Sequence, residues 1–292
     1  MKYFCVTPCL NSEEFIEETM LSVLKQTVFD RDDCSLCYVI RDGGSTDSTS
    51  EIVQNIVNKF ISKKNIQIRY YSEKDSGMYD ALAKGFMDGP DSDVYSYINA
   101  GDFYSTHAFE IVYDVFSQYE VYFLTGINTV YNSKSHVVNF YLPFEYNKNF
   151  LLKGLYGAFL PFIQQESTFW HKTAHQKLDL DRLKKFKYAG DFFLWKTFID
   201  VFPLYIVSAW LGGFKKHKQQ LSSIFIDEYK MEIRNISSPT TIFDYLLAYL
   251  YKALNFLPNG VKKNLSTHMF EFDHSSQKYC PTKHSKVNLR NG

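Results

Sequence analysis

The first hundred residues alternate between two periods, and that alternation limits the fold more than any other feature of the chain. Four apolar runs, "KYFCVTP", "SLCYVIRD", "IQIRYY" and "VYSYIN", have the length and the β-branched or aromatic content of strands. Between them lie stretches of helical spacing: Ile16, Met20, Val23 and Leu24; then Ile52, Val53, Ile56, Val57 and Phe60; then a short one in "MYDALAKGF". "SLCYVIRD" is an unbroken apolar run of the kind buried in parallel sheets. Strand, helix, strand, helix predicts right-handed crossovers and an α/β fold with a mainly parallel sheet flanked by helices. Pro8 is expected to end the first strand, and Asn11 with Glu14, then Ser48 with Glu51, have the form of capping boxes.

After about residue 120 the pattern loosens. "VYFLTGI" reads as a strand, "NFLLKGLYG" as a helix or loop, and Asp191 to Phe202 as a helix with Phe192, Trp195, Phe198, Ile199 and Phe202 turned inward. The longest apolar tract, "FFLWKTFIDVFPLYIVSAWLGGF", is broken by Lys196, Asp200 and Pro203, which argues for a buried helix and strand rather than a membrane span. Residues 240–257 read as an aromatic amphipathic helix followed by Lys262 and Lys263. From Ser266 onward the chain is rich in Ser, His and Lys, and a poorly ordered tail is expected there.

Charge narrows the function. With 32 basic and 32 acidic residues there is no global field for a polyanion, so nucleic acid is not an expected partner. Cys34 and Cys37 form a lone CxxC, but Cys37 enters an apolar run and no second pair follows, which favours buried thiols over a metal or redox pair. Met1 leads almost directly into a strand, and the odd cysteine count fits the reducing cytoplasm, so no targeting segment is expected.

In open parallel sheets, ligands bind beyond the carboxyl ends of the strands. Here those ends carry Thr7-Pro8, Asp42-Gly43-Gly44-Ser45, Glu73-Lys74-Asp75-Ser76-Gly77 and Asn99-Ala100-Gly101-Asp102. Three of the four hold acids. Neither GxGxxG nor GxxxxGK[ST] is present, and a nicotinamide fold would want its glycines after the first strand, where this chain has "TPCLN". A carboxylate beside glycines suits hydrogen bonding to a nucleobase or ribose. It also suits an ordinary turn in which Ser45 or Asp47 caps the next helix.

Six motifs follow one another in the order of the family-2 glycosyltransferases: "VTPCLNSEEFIEETMLSVLKQT", "VIRDGGSTDSTSEIV", "SEKDSGMYDALAKGF", "YINAGDFY", "QQESTFWHK" and "AGDFFLWKTF". The chain resembles that family over roughly residues 1–215. The resemblance implies a GT-A, Rossmann-like catalytic domain, with a nucleotide-binding half over 1–120 and an acceptor half over 121–215. A helical extension over 216–265 and a flexible tail over 266–292 would follow. Thr7 and Pro8 match the segment bordering the nucleotide base, Asp42 the acid that contacts the base, and Asp75 a contact to nucleotide and donor sugar. Asp102 matches the last acid of the DxD-type motif, which holds a divalent cation, Mn²⁺ or Mg²⁺, on the donor diphosphate. Asp191 matches the general base, while Gln165 and Glu166 lie in a segment near the acceptor. The implied activity is inverting transfer from a nucleotide-sugar, with UDP favoured, to a saccharide or lipid-linked acceptor in surface polysaccharide assembly.

Two positions depart from the family pattern. Ala100 stands where the first acid of the DxD motif is usual, and Ala83 where relatives often have asparagine before Lys84-Gly85. Ala100 supports an alternative, a catalytically degenerate chain that binds nucleotide-sugar or scaffolds an assembly complex. A sugar nucleotidyltransferase would want a basic, glycine-rich loop where "TPCLNSEEF" is acidic. Other features stay open to two readings. Asp191 and Asp102 can each cap a neighbouring helix, and His107, His171 and His217 are third metal ligands or packing residues. Trp210 with Gly212-Gly213 is a sugar platform or a buried strand end. Residues 240–263 meet a membrane surface or close the core.

Overall fold

The computed structural model describes residues 1–216 and 225–290. The alternating half folds as β1 (Lys2–Cys9), α1 (Ile16–Leu24), β2 (Ser35–Asp42), α2 (Thr49–Phe60), β3 (Ile66–Ser72), α3 (Met78–Met87) and β4 (Val94–Tyr97). Then come β5 (Phe103–Tyr104), α4 (Ala108–Gln118), β6 (Phe123–Thr125), β7 (Asn128–Tyr131), β8 (Val137–Tyr141) and α5 (Lys148–Leu152). They lead into β9 (Phe169–His171), α6 (Lys172–His175), α7 (Leu180–Leu183), α8 (Gly190–Ile199), β10 (Tyr205–Val207) and β11 (Gly212–Lys215). The chain closes with α9 (Ile226–Ile236), α10 (Ile242–Leu254), α11 (Asn259–Leu265), β12 (Met269–Asp273) and β13 (Lys278–Pro281).

Among the described residues the main sheet has nine strands in the order β13-β12-β10-β6-β9-β4-β1-β2-β3. The run β4-β1-β2-β3 is parallel throughout, as the alternation predicts. β9 is antiparallel to both β4 and β6, so the sheet is mixed around an otherwise mainly parallel plan. The order reverses between β1 and β4, and such a switch point opens a crevice at the carboxyl ends of the strands. A second sheet, β5-β11-β7-β8, lies beside it and delivers β11 to that crevice.

Side chains alternate across β1: Phe4 and Val6 join the core with α3 and α8, Tyr3 and Cys5 the core with α1, α2 and α4. In α1 the predicted stripe Ile16, Met20, Val23 and Leu24 is wholly buried, each side chain worth about 1.5–3 kcal/mol on leaving water. The five cysteines are unpaired, and Cys34 and Cys37 are buried, in line with the core reading of the CxxC.

Three sequence expectations are corrected. Pro8 does not end β1; pairing with β4 stops at Val6, so no ladder bond on that side is asked of the proline, and pairing with β2 runs on to Cys9. Neither capping box forms, since α1 and α2 lack a side-chain bond at their N-caps. Instead Asp47 Oδ1 accepts from the Thr49 N–H at the start of α2, and Asn11, Glu13 and Asp47 join two loops. Asn11 Oδ1 accepts from the Thr46 N–H, Glu13 Oε2 from the Ser48 N–H, and Asp47 Oδ2 from the Glu13 N–H, tying the ends of β1 and β2 together. The tail is not loose either. Met269 and Phe270 are buried, β12 pairs in parallel with β10, and β13 folds back on β12, so two apolar residues and a strand edge suffice to order a polar segment.

Candidate active site

The carboxyl ends of β1, β2 and β4 bring the predicted acids together in two groups. On one side, Asp42 lies almost fully buried under its own loop. Its Oδ1 accepts from the Ser45 N–H at 2.9 Å and from Ser45 Oγ at 2.5 Å; its Oδ2 accepts from the Tyr70 hydroxyl and from Ser72 Oγ, both at 2.8 Å. Burial raises its pKa and these bonds outweigh it, so the carboxyl sits below its ordinary range and stays ionised. Asp42 therefore shapes the loop in this conformation, with both oxygens occupied. Thr7 is also turned inward, at 0% exposure, with its hydroxyl bonded to Tyr38, and Pro8 is buried beside it. Asp75 is the more open acid of this group. Its carboxylate lies against Gly43 and accepts from the Gly77 N–H, and burial pushes its pKa up. Lys84 pairs with Asp80 one turn earlier on α3, at 3.0 Å.

The second group is built on "YINAGDFY". Gly101 has φ +110°, a conformation that L side chains rarely adopt, and it turns the chain so that Asp102 points back into the protein. Asp102 Oδ1 accepts from the Lys215 N–H of β11 at 3.0 Å, and its main-chain carbonyl accepts from Thr19. It caps nothing: α4 begins at Ala108 with His107 before it and no side-chain cap. Glu166, from the turn before β9, bonds the Asp102 carboxyl and is buried with it. Gly212 permits that approach, since a Cβ there would lie 1.9 Å from the Glu166 carbonyl oxygen. Burial first, and then the neighbouring carboxylate, raises Asp102 well above its ordinary range, and burial pushes Glu166 to about 7. Two carboxyls so placed cannot both ionise without a cation, so near neutrality the pair retains a proton. Gln165 sits beside it, with its amide bonded to the Tyr97 carbonyl and its oxygen 3.4 Å from Asn99 Nδ2.

Asp191 occupies the second position of α8. Its Oδ1 accepts from the Phe192 N–H at 2.7 Å within the first turn of α8, whose N-cap position is Ala189. The Tyr79 hydroxyl of α3 lies 3.4 Å from Oδ1 and the Tyr229 hydroxyl of α9 lies 3.5 Å from Oδ2. Burial pushes its pKa to about 6 against those donors. It lines a small hollow with Tyr156, Phe162, Ile163, Trp195 and Tyr229. The Trp195 indole N–H in that wall has no acceptor among the described residues. Asp191 raises the pKa of Glu166, and Asp191 and Glu166 both raise that of Tyr97, which draws the two groups into one electrostatic field. A carboxylate that is ionised just above pH 6 and faces a half-open aromatic hollow can take a proton from a bound hydroxyl.

The remaining candidates divide. His171 is buried in β9, where its ring bonds Thr173 and Arg290, and His107 pairs with Glu110 at the surface, so both serve packing or surface roles. His217 lies outside the described residues. Among the described residues no three His, Cys, Asp or Glu side chains gather as a metal-ligand set. Gly212 and Gly213 are buried strand residues, while Trp210 keeps 38% exposure and packs edge-on to Phe103. The sequence reading missed Tyr79, which lies within a quoted motif, and Tyr229 and Lys215, for which the sequence carries no local signal.

A family model for Glycosyl transferase family 2 matches residues 4–183, ending before Asp191. No curated protein matches the chain. Among solved structures, S. aureus TarS is similar with a TM-score of 0.55 at 15% identity, over 90% of this chain and 45% of that one. The chain thus spans less than half of that relative. TarS 1-349 in complex with UDP gives 0.53 at 14% identity over 90% and 69% of the two chains. A mannosyltransferase from Pyrobaculum calidifontis, PcManGT, in complex with GDP-Man and Mn²⁺, gives 0.53 at 13% identity over 89% and 71%. At such identities the likeness is one of fold.

Proposed function

Since the chain belongs to glycosyl transferase family 2, we propose that it moves a sugar from a nucleoside-diphosphate donor to an acceptor hydroxyl with inversion, using Asp191 as the general base. The observation that carries this reading is the half-buried Asp191 carboxylate at an aromatic-lined hollow, within electrostatic reach of Glu166, which is bonded to Asp102. The acceptor oxygen attacks the anomeric carbon as the bond to the diphosphate oxygen breaks. The acceptor proton passes to Asp191, and the nucleoside diphosphate leaves with the bonding pair. One displacement without a covalent intermediate inverts the anomeric centre. Asp75 and the β1 and β2 loops border the nucleotide, and Gln165 and Glu166 lie between donor and acceptor. A UDP-sugar is the donor favoured; the structures of similar fold include one bound to UDP and one bound to GDP-Man.

A divalent cation fits the residues present in one way. Asp102 lacks the usual partner acid at Ala100, but Glu166 supplies a second carboxylate against it, and a cation would replace the proton held by that pair. With Asp102 Oδ1 engaged by Lys215 and no three-ligand set among the described residues, most ligands would come from the donor diphosphate. Bound there, Mn²⁺ or Mg²⁺ would neutralise the charge that grows on the leaving group.

The acceptor is proposed to be saccharide or lipid-linked, in surface polysaccharide assembly on the cytoplasmic side of a membrane. No helix among the described residues is long and apolar enough to cross a bilayer. α10 packs on the core through Ala248 and Tyr251, yet its outer face carries Ile242, Phe243, Leu246, Tyr249 and Leu250 in the open. Phe159, which touches Tyr245 of α10, and Phe162 continue that apolar surface to the hollow, an arrangement that suits a lipid-borne acceptor.

Ala100 keeps a second reading in play, a donor-binding scaffold without turnover. The two separate when purified protein is offered a panel of nucleotide-sugars with Mn²⁺ and followed by thermal shift and nucleotide release. A donor that stabilises the fold and is consumed supports the transferase; a donor that stabilises it and is never consumed supports the scaffold.

A further inference from the structure

We propose that α9 completes the catalytic centre, with Glu232 and Tyr229 acting as positioning residues for Asp191. The proposal rests on the reading of Asp191 as base, and it concerns a helix outside the family-matched residues.

The first turn of a helix leaves main-chain N–H groups without intrahelical partners. Ahead of α8, Ala189 offers no side-chain cap. Glu232, from another helix, instead holds the chain that leads into that turn. Its Oε1 accepts from the Lys187 N–H at 3.0 Å, and its Oε2 accepts from the Tyr188 N–H at 3.0 Å and the Ala189 N–H at 2.8 Å. One carboxylate thus fixes three successive peptide groups immediately before the turn that carries Asp191. A negative charge at a helix N-terminus is itself favourable.

Tyr229 lies three residues before Glu232, on the same face of α9. Ile233 beside them is buried in the core and holds the helix in place. The result is a clamp: the Tyr229 phenol of α9 faces Asp191 Oδ2, while the Tyr79 phenol of α3 lies 3.4 Å from Oδ1 and also meets the Tyr188 carbonyl at 3.2 Å. The other titratable groups acting on this cluster are Glu166 and Tyr97 from the sheet side and Glu232 itself. A phenol that donates to a carboxylate favours its ionised form, so Tyr229 keeps the base available at lower pH. Glu232 sets where that base stands, and a misplacement of about 1 Å at a reacting centre can cost about 100-fold in rate.

The test uses the full chain and the donor identified by the nucleotide-sugar panel, with kcat and KM measured from pH 5 to 9. Tyr229→Phe is expected to move the acid limb of kcat/KM up by about half a pH unit. Glu232→Ala is expected to lower kcat about 10- to 100-fold with donor KM within about twofold, and Glu232→Gln, which keeps one acceptor oxygen, to recover part of the loss. An unmoved acid limb in Tyr229→Phe together with an unchanged kcat in Glu232→Ala overturns the proposal. If Glu232→Ala fails to fold, the acid limb of Tyr229→Phe decides alone. Asp191→Asn separates the two levels: full activity in that variant removes the base reading itself, whereas its inactivity beside wild-type behaviour of both α9 variants removes only this inference.

Discussion

Replacing Asp191 by Asn should cost the protein its activity and make it more stable. The carboxyl is held at about 6 against an ordinary 3.8, raised by burial. At 1.36 kcal/mol per pH unit, that displacement corresponds to about 3 kcal/mol, an upper bound because the side chain is partly open to water. The sign follows from proton affinity. The folded chain holds this proton more tightly than the unfolded chain, so the group favours folding below pH 3.8, and that contribution is lost as pH rises through 6. Above pH 7 an ionised, poorly solvated carboxylate opposes folding in full. Asn keeps an oxygen for the Phe192 N–H and removes the charge. Melting followed at pH 7.5 should therefore show Asp191→Asn higher by up to about 5 °C. At pH 4 the same variant should gain no more than about 0.5 kcal/mol. Transfer activity should fall about 100- to 10,000-fold, the range for loss of a general base. A variant no more stable than wild type at pH 7.5, or equally stabilised at both pH values, would refute the argument from burial.

Other outcomes follow from the same structure. Asp42→Ala strands four donors, from Ser45, Tyr70 and Ser72, and should lower stability by about 2–4 kcal/mol in urea titration at pH 7; a loss below about 0.5 kcal/mol would show that the loop does not depend on it. Mn²⁺ should bind the free protein weakly and bind at least about tenfold more tightly once UDP is present, as read by calorimetry; tight binding without nucleotide would contradict a site completed by the diphosphate. Leu246→Glu on the open face of α10 should reduce sedimentation with vesicles of anionic lipid without changing donor hydrolysis, whereas no vesicle binding by the wild-type chain would end the membrane reading.

The parts of this fold that could be read from sequence are those whose signal is local. Periodicity in α1 and α2 and unbroken apolar runs in β1 and β2 reflect burial of a face, and tertiary structure rewards the same pattern. The capping boxes failed as a guide because Asn11 had a competing use, bridging with Glu13 and Asp47 two loops that meet only after the sheet forms. The tail failed for a related reason: Met269 and Phe270 need a strand edge supplied by β10, sixty-odd residues earlier. Asp42, Asp75 and Asp102 lay at or just beyond strand ends and were visible as such. Glu166 was visible only as a candidate near the acceptor, and its pairing with Asp102 needed β9 to be inserted antiparallel beside β4. Tyr229 and Glu232 had no sequence signature, because their meaning comes wholly from the docking of α9 on the start of α8.

The account centres on a single displacement assisted by Asp191, and the stereochemistry of the product tests that most directly. Water can serve as acceptor, so the experiment needs only a donor that the protein consumes. Proton NMR recorded in the first minutes of hydrolysis, before mutarotation, reads the anomer released. The account predicts the anomer inverted relative to the donor; release of the retained anomer would contradict it.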